Sequence, residues 1–275
     1  MKLGDAPAVT ATELFSRPCH WVVMASINSL DSEEKFSLLS VAERRRADGF
    51  KSKKDKACFI IAHALKRYCL SHLINIDPHS LRFSHSDKGK PFCDSDKTLD
   101  FNISHSADWV AFAVSSIASI GVDVERADRV VGKKIMTYAL TVEQVLILAK
   151  AADINQKMMC YWTQKEAVSK ALGVGISVGF KNIECSGELG TSFAKCREQQ
   201  FLIQSYHNDS VILSMATLAQ TPLEVYQLLS WSSSATVEDV AQDPCEASSY
   251  RVDNTVSENF VPPETSQTLL LERLL

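Results

Sequence analysis

The sequence predicts an α+β protein of two similar α/β halves. Two observations carry this reading. Short apolar runs of strand length alternate with long stretches of helical periodicity, and the second half repeats the element order of the first. At 275 residues and 45% hydrophobic content the chain has enough apolar material for a real core.

Residues 21–27 read as a first strand, and a helical stretch follows over 32–50, ending near Gly49. A second helix is predicted over 55–74, where Cys58, Ile61, Ala62, Leu65, Cys69 and Leu73 recur on one face while Lys66 and Arg67 take the other. A turn-rich stretch around Gly89 and Pro91 leads into strands at 99–103 and 109–114, joined by a polar loop. Residues 117–124 form the next apolar strand. The second half then has a helix opened by Thr141 and Glu143, a longer helix over 155–172, and several strands between 183 and 229. From 232 onward the composition turns Ser-rich and acidic, as in a mobile tail. The expected division is therefore 1–117, 118–231 and a tail at 232–275, and the matching order of the first two parts permits a pseudo-twofold arrangement.

A formal net charge of -4 and a pI near 6.0 argue against a general nucleic-acid binder, so any anion site must be local. The apolar run 21–27 is too short to cross a bilayer or act as a signal segment, which makes the cytoplasm the expected address. Eight cysteines lie scattered without a Cys-x-x-Cys pair, and reduced core cysteines are expected.

Four motifs carry chemistry. In Gly121-Val122-Asp123-Val124-Glu125 two carboxylates at i and i+2 share one strand face, half of a magnesium site if the run is more than an acidic strand end. The run Phe101-Asn102-Ile103-Ser104-His105-Ser106 sets hydroxyls and an imidazole directly after a strand, where a phosphate can be met; the identical triplet Ser84-His85-Ser86 is followed by a charged turn instead of an apolar strand. In Trp162-Thr163-Gln164-Lys165-Glu166, followed by Lys170, Glu166 and Lys170 stand at i and i+4. They are either a solvent-exposed ion pair or a third metal carboxylate with a phosphate-neutralising lysine. Basic residues from Arg44-Arg45-Arg46 and Lys53-Lys54 to Lys88 and Lys90, around Gly89-Lys90-Pro91, supply further positive charge. No Gly-x-x-x-x-Gly-Lys-Ser/Thr or Gly-x-Gly-x-x-Gly run is present, against the usual nucleoside triphosphate and dinucleotide folds.

In these motifs and their order, over roughly 40–173, the chain resembles the 4'-phosphopantetheinyl transferases, specifically the monomeric broad-specificity type that activates nonribosomal peptide and polyketide synthases. The resemblance implies an active site in the cleft between the halves, with magnesium held by Asp123, Glu125 and Glu166. It implies coenzyme A phosphates at Lys90, Ser104 and His105, the ribose 3'-phosphate near Arg46, and the pyrophosphate at Lys170 with Asp123 close by. The match is looser over 44–54, and the tail has no counterpart. The implied reaction is attack of a carrier-protein serine on the β-phosphate of coenzyme A, releasing 3',5'-ADP. Glu166 or Glu143 would accept the proton, and Lys170 and His105 would stabilise the leaving group. Partners would be coenzyme A and apo acyl or peptidyl carrier proteins, with no nucleic acid or membrane. Two other readings stand beside it: another magnesium-dependent phosphotransferase or nucleotide-binding enzyme, and a non-catalytic carrier-protein-binding module.

Overall fold

Alternation along the strands sets the architecture. In β2 (His20–Ser26), Trp21, Val23 and Ala25 enter one core while Val22 and Met24 enter another. Both faces are covered, which is why the run reads as continuously apolar. The computed structural model describes residues 8–9, 15, 19–218 and 224–228. The expected tail at 232–275 lies outside the described residues.

The first sheet has the order β1–β12–β2–β6–β5, from β1 (Ala8–Val9), β12 (Glu224–Leu228), β2, β6 (Trp109–Ser115) and β5 (Asp100–Ser106). β1, β12 and β2 run parallel to one another, and the remaining pairs are antiparallel. The second sheet, β7–β11–β10–β9–β8, is antiparallel throughout and uses β7 (Ile120–Arg126), β8 (Ile183–Glu184), β9 (Gly190–Cys196), β10 (Gln199–His207) and β11 (Val211–Thr217). A small hairpin of β3 (Phe83–His85) and β4 (Pro91–Cys93) stands apart.

Helices α1 (Ser32–Phe36), α2 (Val41–Asp48) and α3 (Lys53–Ile74) belong to the first sheet, with α3 packed on β5 and β6. The single helix expected over 32–50 is thus two. Ser40 ends it by capping α2 in a box with Glu43, which satisfies backbone donors that a continuous helix would use differently. Ser52 caps α3 and starts it two residues before the expected Asp55. On the second sheet lie α4 (Lys133–Ala139), α5 (Val142–Leu148) and α6 (Ile154–Leu172), with α6 packed on β7, β10 and β11. Thr141 does cap α5, but its box partner is Gln144.

The other faces of the two sheets share a core of Val22, Met24, Ala111 and Ala113 against Val122, Val124, Leu213 and Met215. The expected second half, 118–231, is split between the sheets, because β12 pairs with β2. Among the described residues no helix is long and apolar enough to cross a membrane.

Candidate active site

The backbone of β7 presses directly on α6. A Cβ at Gly121 would lie 2.0 Å from the Ala167 carbonyl oxygen and 2.5 Å from the Ala171 nitrogen, so only glycine fits. Alternation then turns Asp123 and Glu125 toward α6, while Val122 and Val124 enter the shared core. Asp123 is buried, with Ser214 of β11 as its cross-strand partner.

On its other edge β7 meets β5, and side chains bridge the two strands. Asp100 Oδ2 accepts from the Ile120 N–H (2.7 Å), Asn102 Oδ1 from Val122 (3.0 Å) and Ser104 Oγ from Val124 (3.2 Å). Ser106 Oγ donates to Glu125 Oε2 at 3.1 Å. The expected polar loop after residue 103 is therefore strand. Its side chains at 100, 102, 104 and 106 are polar because they serve this seam, which hides the apolar signature of a strand. The alternation puts His105 on the side of Phe101, facing α3.

Lys170 on α6 reaches into the seam. Its ammonium donates to Asp123 Oδ1 (2.7 Å), the Val122 carbonyl (3.0 Å) and Ser104 Oγ (3.1 Å), while Ser104 donates to Asp123 Oδ1 at 2.9 Å. Asp123 Oδ2 is buried without a partner. Glu125 is held by Arg129 and Ser106, and the Arg129 guanidinium also lies 5.5 Å from the Trp162 ring centroid. Glu166 forms no hydrogen bond or ion pair among the described residues. Burial, then Asp123 and Glu125, raise its pKa to about 7 against the opposing pull of Lys170 and Arg129. Burial also raises Asp123, with Lys170 opposing. Three carboxylates thus repel one another with two cations to balance them.

The donors are all carboxylate oxygens, the hard set that magnesium takes, and one of them is a buried orphan. The residues present fit such a cation. Among the described residues, however, no group of three or more His, Cys, Asp or Glu side chains is already gathered as a metal centre. Lys170 and Arg129 lie on two of the three carboxylates instead.

The expected phosphate ligands fare unequally. Ser104 and Lys170 meet at Asp123. The His105 ring reaches solvent, yet the surrounding protein lowers its pKa; Lys170 adds to this, and Asp55, Asp123 and Glu125 oppose it. The Lys90 ammonium is mostly buried and is satisfied internally by Asp100 Oδ2, Ser119 Oγ and the carbonyls of Ile120 and Ala171. It pins the end of the seam beside a cavity of about 370 Å³ lined by Lys88, Pro91, Phe92 and Gly173. Arg46 is exposed, with its guanidinium 5.2 Å from the Phe59 ring centroid, and Lys54 pairs with Asp108 at 2.6 Å. Glu143 is not brought to the site. It is exposed on α5 and lines a different cavity with Lys181, Glu184 and Phe193. The sequence reading missed Asp100, Asn102 and Ser106, whose i, i+2 spacing with Ser104 was the available signal, and it missed Arg129 and Lys165.

Two family models match in succession. One, 4'-phosphopantetheinyl transferase, N-terminal, covers residues 29–117, and the other, 4'-phosphopantetheinyl transferase superfamily, covers 119–216. The chain is 30% identical over 152 residues to 4'-phosphopantetheinyl transferase Sfp of Bacillus subtilis (strain 168), 54% of this chain and 67% of that protein. The chain belongs to the 4'-phosphopantetheinyl transferase superfamily. It is also 32% identical over 126 residues to 4'-phosphopantetheinyl transferase gsp of Aneurinibacillus migulanus, 46% of this chain and 52% of that one. With HetI of Nostoc sp. the identity is 30% over 145 residues, 50% of this chain and 61% of the relative. The chain spans between about half and two thirds of the length of these relatives. The seam and its carboxylates fall at the junction of the two matched family regions, with Ser104 in the first and Asp123, Glu166 and Lys170 in the second.

Proposed function

We propose that this protein transfers the 4'-phosphopantetheine arm of coenzyme A to a serine of an apo acyl or peptidyl carrier protein and releases 3',5'-ADP. The observation that carries the reading is the pair of uncommitted carboxylates, Asp123 Oδ2 and Glu166, beside the Lys170 ammonium. Asp123, Glu125 and Glu166 are the residues that would hold magnesium, which when bound offsets the charge of a pyrophosphate. Lys170, Ser104 and His105 would bind the coenzyme A phosphates, and Arg46 would lie nearer the ribose 3'-phosphate.

The reaction forms a bond from the serine oxygen to the β-phosphorus and breaks the bond from that phosphorus to the bridging oxygen, which leaves with 3',5'-ADP. A serine hydroxyl must lose its proton, and Glu166 is the acceptor we assign, directly or through one water. Lys170 offsets charge that grows on the leaving phosphate, having Asp123 and Ser104 to fix its position. In this reading the regions 1–117 and 118–231 supply two pseudo-twofold halves with the substrate cleft at their junction, β12 of the second region being lent to the first sheet, and the long helix that backs each sheet supports this. We place the protein in the cytoplasm as a monomer acting on carrier domains of nonribosomal peptide or polyketide synthesis. The seven described cysteines are free thiols, which favours a reducing compartment.

The test is to incubate the full chain with coenzyme A, magnesium chloride and an apo carrier protein, and weigh the carrier by mass spectrometry. The expected result is a mass increase of one phosphopantetheine, lost on adding EDTA. A carrier that keeps its mass, across acyl and peptidyl carriers, overturns the reading.

A further inference from the structure

Helix α6 carries a second lysine whose place is unlike that of Lys170. Lys165 is fully buried and has no carboxylate partner among the described residues. Its ammonium donates to Gln144 Oε1 (2.8 Å), the Phe180 carbonyl (2.8 Å) and the Ile183 carbonyl (2.9 Å). These three neutral acceptors saturate its three donors. A buried charge without a counter-charge is costly, and an apolar side chain of similar length would fill the same space.

The ammonium joins two separate pieces of chain to one point on α6: the first turn of α5, and the continuous run from the 3-10 turn Phe180–Asn182 into the start of β8. Gln144 is fixed in turn, since Oε1 also accepts from the Thr141 N–H and Nε2 donates to the Cys185 carbonyl. The two residues before Lys165 are tied elsewhere. Gln164 donates to the Glu188 carbonyl and Ser205 Oγ and accepts from the Gly187 N–H, while Thr163 shares a hydrogen bond with Ser214 Oγ at 2.7 Å. Ser214 is the cross-strand partner of Asp123. Successive helix residues point about 100° apart, since a turn takes 3.6 residues. Bonds at 163, 164 and 165 therefore hold α6 from several sides and oppose its rolling on the sheet. The next residue, Glu166, is the one left with a free carboxylate.

We infer that Lys165 is a positioning residue that fixes the rotation of α6 and so sets Glu166 opposite Asp123. This rests on the role given to Glu166 above. The experiment compares the full-length wild type with Lys165→Met and Gln144→Met, measuring kcat, KM for coenzyme A and the unfolding temperature. Lys165→Met is expected to lower kcat by about 10²-fold, the cost of a misplacement of ~1 Å, with KM for coenzyme A within about twofold and a lowered unfolding temperature, since the buried Phe180 and Ile183 carbonyls lose their donor. Gln144→Met removes one of the three acceptors and is expected to lower kcat by a smaller factor, about tenfold, with the same unchanged KM. A folded Lys165→Met with wild-type kcat overturns the inference, and so does a raised KM for coenzyme A, which would put Lys165 on the substrate. Should Lys165→Met not fold, a wild-type kcat in Gln144→Met overturns it equally. Failure of the wild type itself to modify any carrier would instead overturn the proposed function, so the two results are separable.

Discussion

Two clusters of charged side chains flank the long helices, one on each sheet, and they are built to opposite rules. On α2 and α3 a single carboxylate, Glu43, is shared by His63 (3.0 Å), Lys66 (3.0 Å) and Arg67 (2.5 Å), and it also accepts from the Ser40 amide and hydroxyl. Both of its oxygens are committed. Arg67 goes on to bind the Pro78 and Leu81 carbonyls, and the Lys66 ammonium lies 3.9 Å from the Phe83 ring centroid. At α6 three carboxylates face two cations, and two of the carboxylates keep oxygens with no partner. Both Glu43 and Glu166 are partly buried, which alone would raise each pKa. At Glu43 the surrounding donors overturn that and hold the carboxyl far below the usual range, whereas at Glu166 the neighbouring acids add to it. The Glu43 cluster closes on itself, whereas the Glu166 cluster, which we propose serves chemistry, is left short of positive charge.

The largest effect that tests this contrast is Glu43→Ala. It strands the buried Lys66 and Arg67 side chains, and the expected loss is about 3–5 kcal/mol of unfolding free energy, read by urea denaturation, with kcat kept within about twofold while the protein is folded. The milder Glu43→Gln exposes the pH dependence. Because the folded pKa of Glu43 lies below the unfolded one, ~4.3, its contribution is full above that pH and declines as pH falls below it. The stability gap between wild type and Glu43→Gln is expected to be constant from neutral pH down to ~5 and to shrink below ~4. A gap that instead widens toward acid pH contradicts the assignment.

Asp123→Asn is the counterpart at the open cluster. Asparagine keeps an oxygen for Ser104 and Lys170 but removes a charge that repels Glu125 and Glu166. Transfer is expected to fall about 10²–10³-fold, the typical cost of losing one group that stabilises developing charge, while the unfolding temperature stays level or rises. If this variant is destabilised as much as Glu43→Ala, the two clusters do not differ in kind. Gly121→Ala should damage both properties. Its methyl cannot coexist with the Ala167 carbonyl 2.0 Å away, so α6 must move off β7. We expect a loss of at least about 1–3 kcal/mol together with loss of transfer, measured on the same protein by thermal unfolding and the carrier assay.

How much of this was legible in the sequence follows from which pattern each part obeys. The strands at 20–26 and 109–115 and the helices at 53–74 and 154–172 were readable within a few residues, because their apolar periodicity reflects burial against a neighbouring layer. That Asp123 and Glu125 share one strand face was legible from the i, i+2 spacing, and that Glu166 and Lys170 share one helix face from the i, i+4 spacing. The full extent of β5 and the internal bonds of Lys90 were not legible, for a common cause. The polar side chains of both satisfy backbone and carboxylate groups on a strand far along the chain, and a polar residue that serves an internal seam looks the same in sequence as one that serves a loop or a ligand. That Glu143 lines a different cavity was not legible, because the sequence places it at a helix start without saying which cavity that start faces.

The smallest expected effect separates two bonds of the seam itself. Asn102 is buried, and its side-chain oxygen is the acceptor for the Val122 N–H, on the edge of β7 that no strand pairs with. Asn102→Ala leaves that N–H unsatisfied inside the protein, at an expected cost of about 1–3 kcal/mol. Ser106 caps no backbone group; it only donates to Glu125 Oε2, and Arg129 still holds the other oxygen when it is gone. Ser106→Ala should cost about 0.5–1.5 kcal/mol, the net value of one hydrogen bond. Urea midpoints of the two variants, taken at one pH, order them: Asn102→Ala must lie below Ser106→Ala. Equal midpoints would mean that the β7 edge finds water or other acceptors once Asn102 is lost, and that side chains of β5 do not serve β7 as the missing ladder.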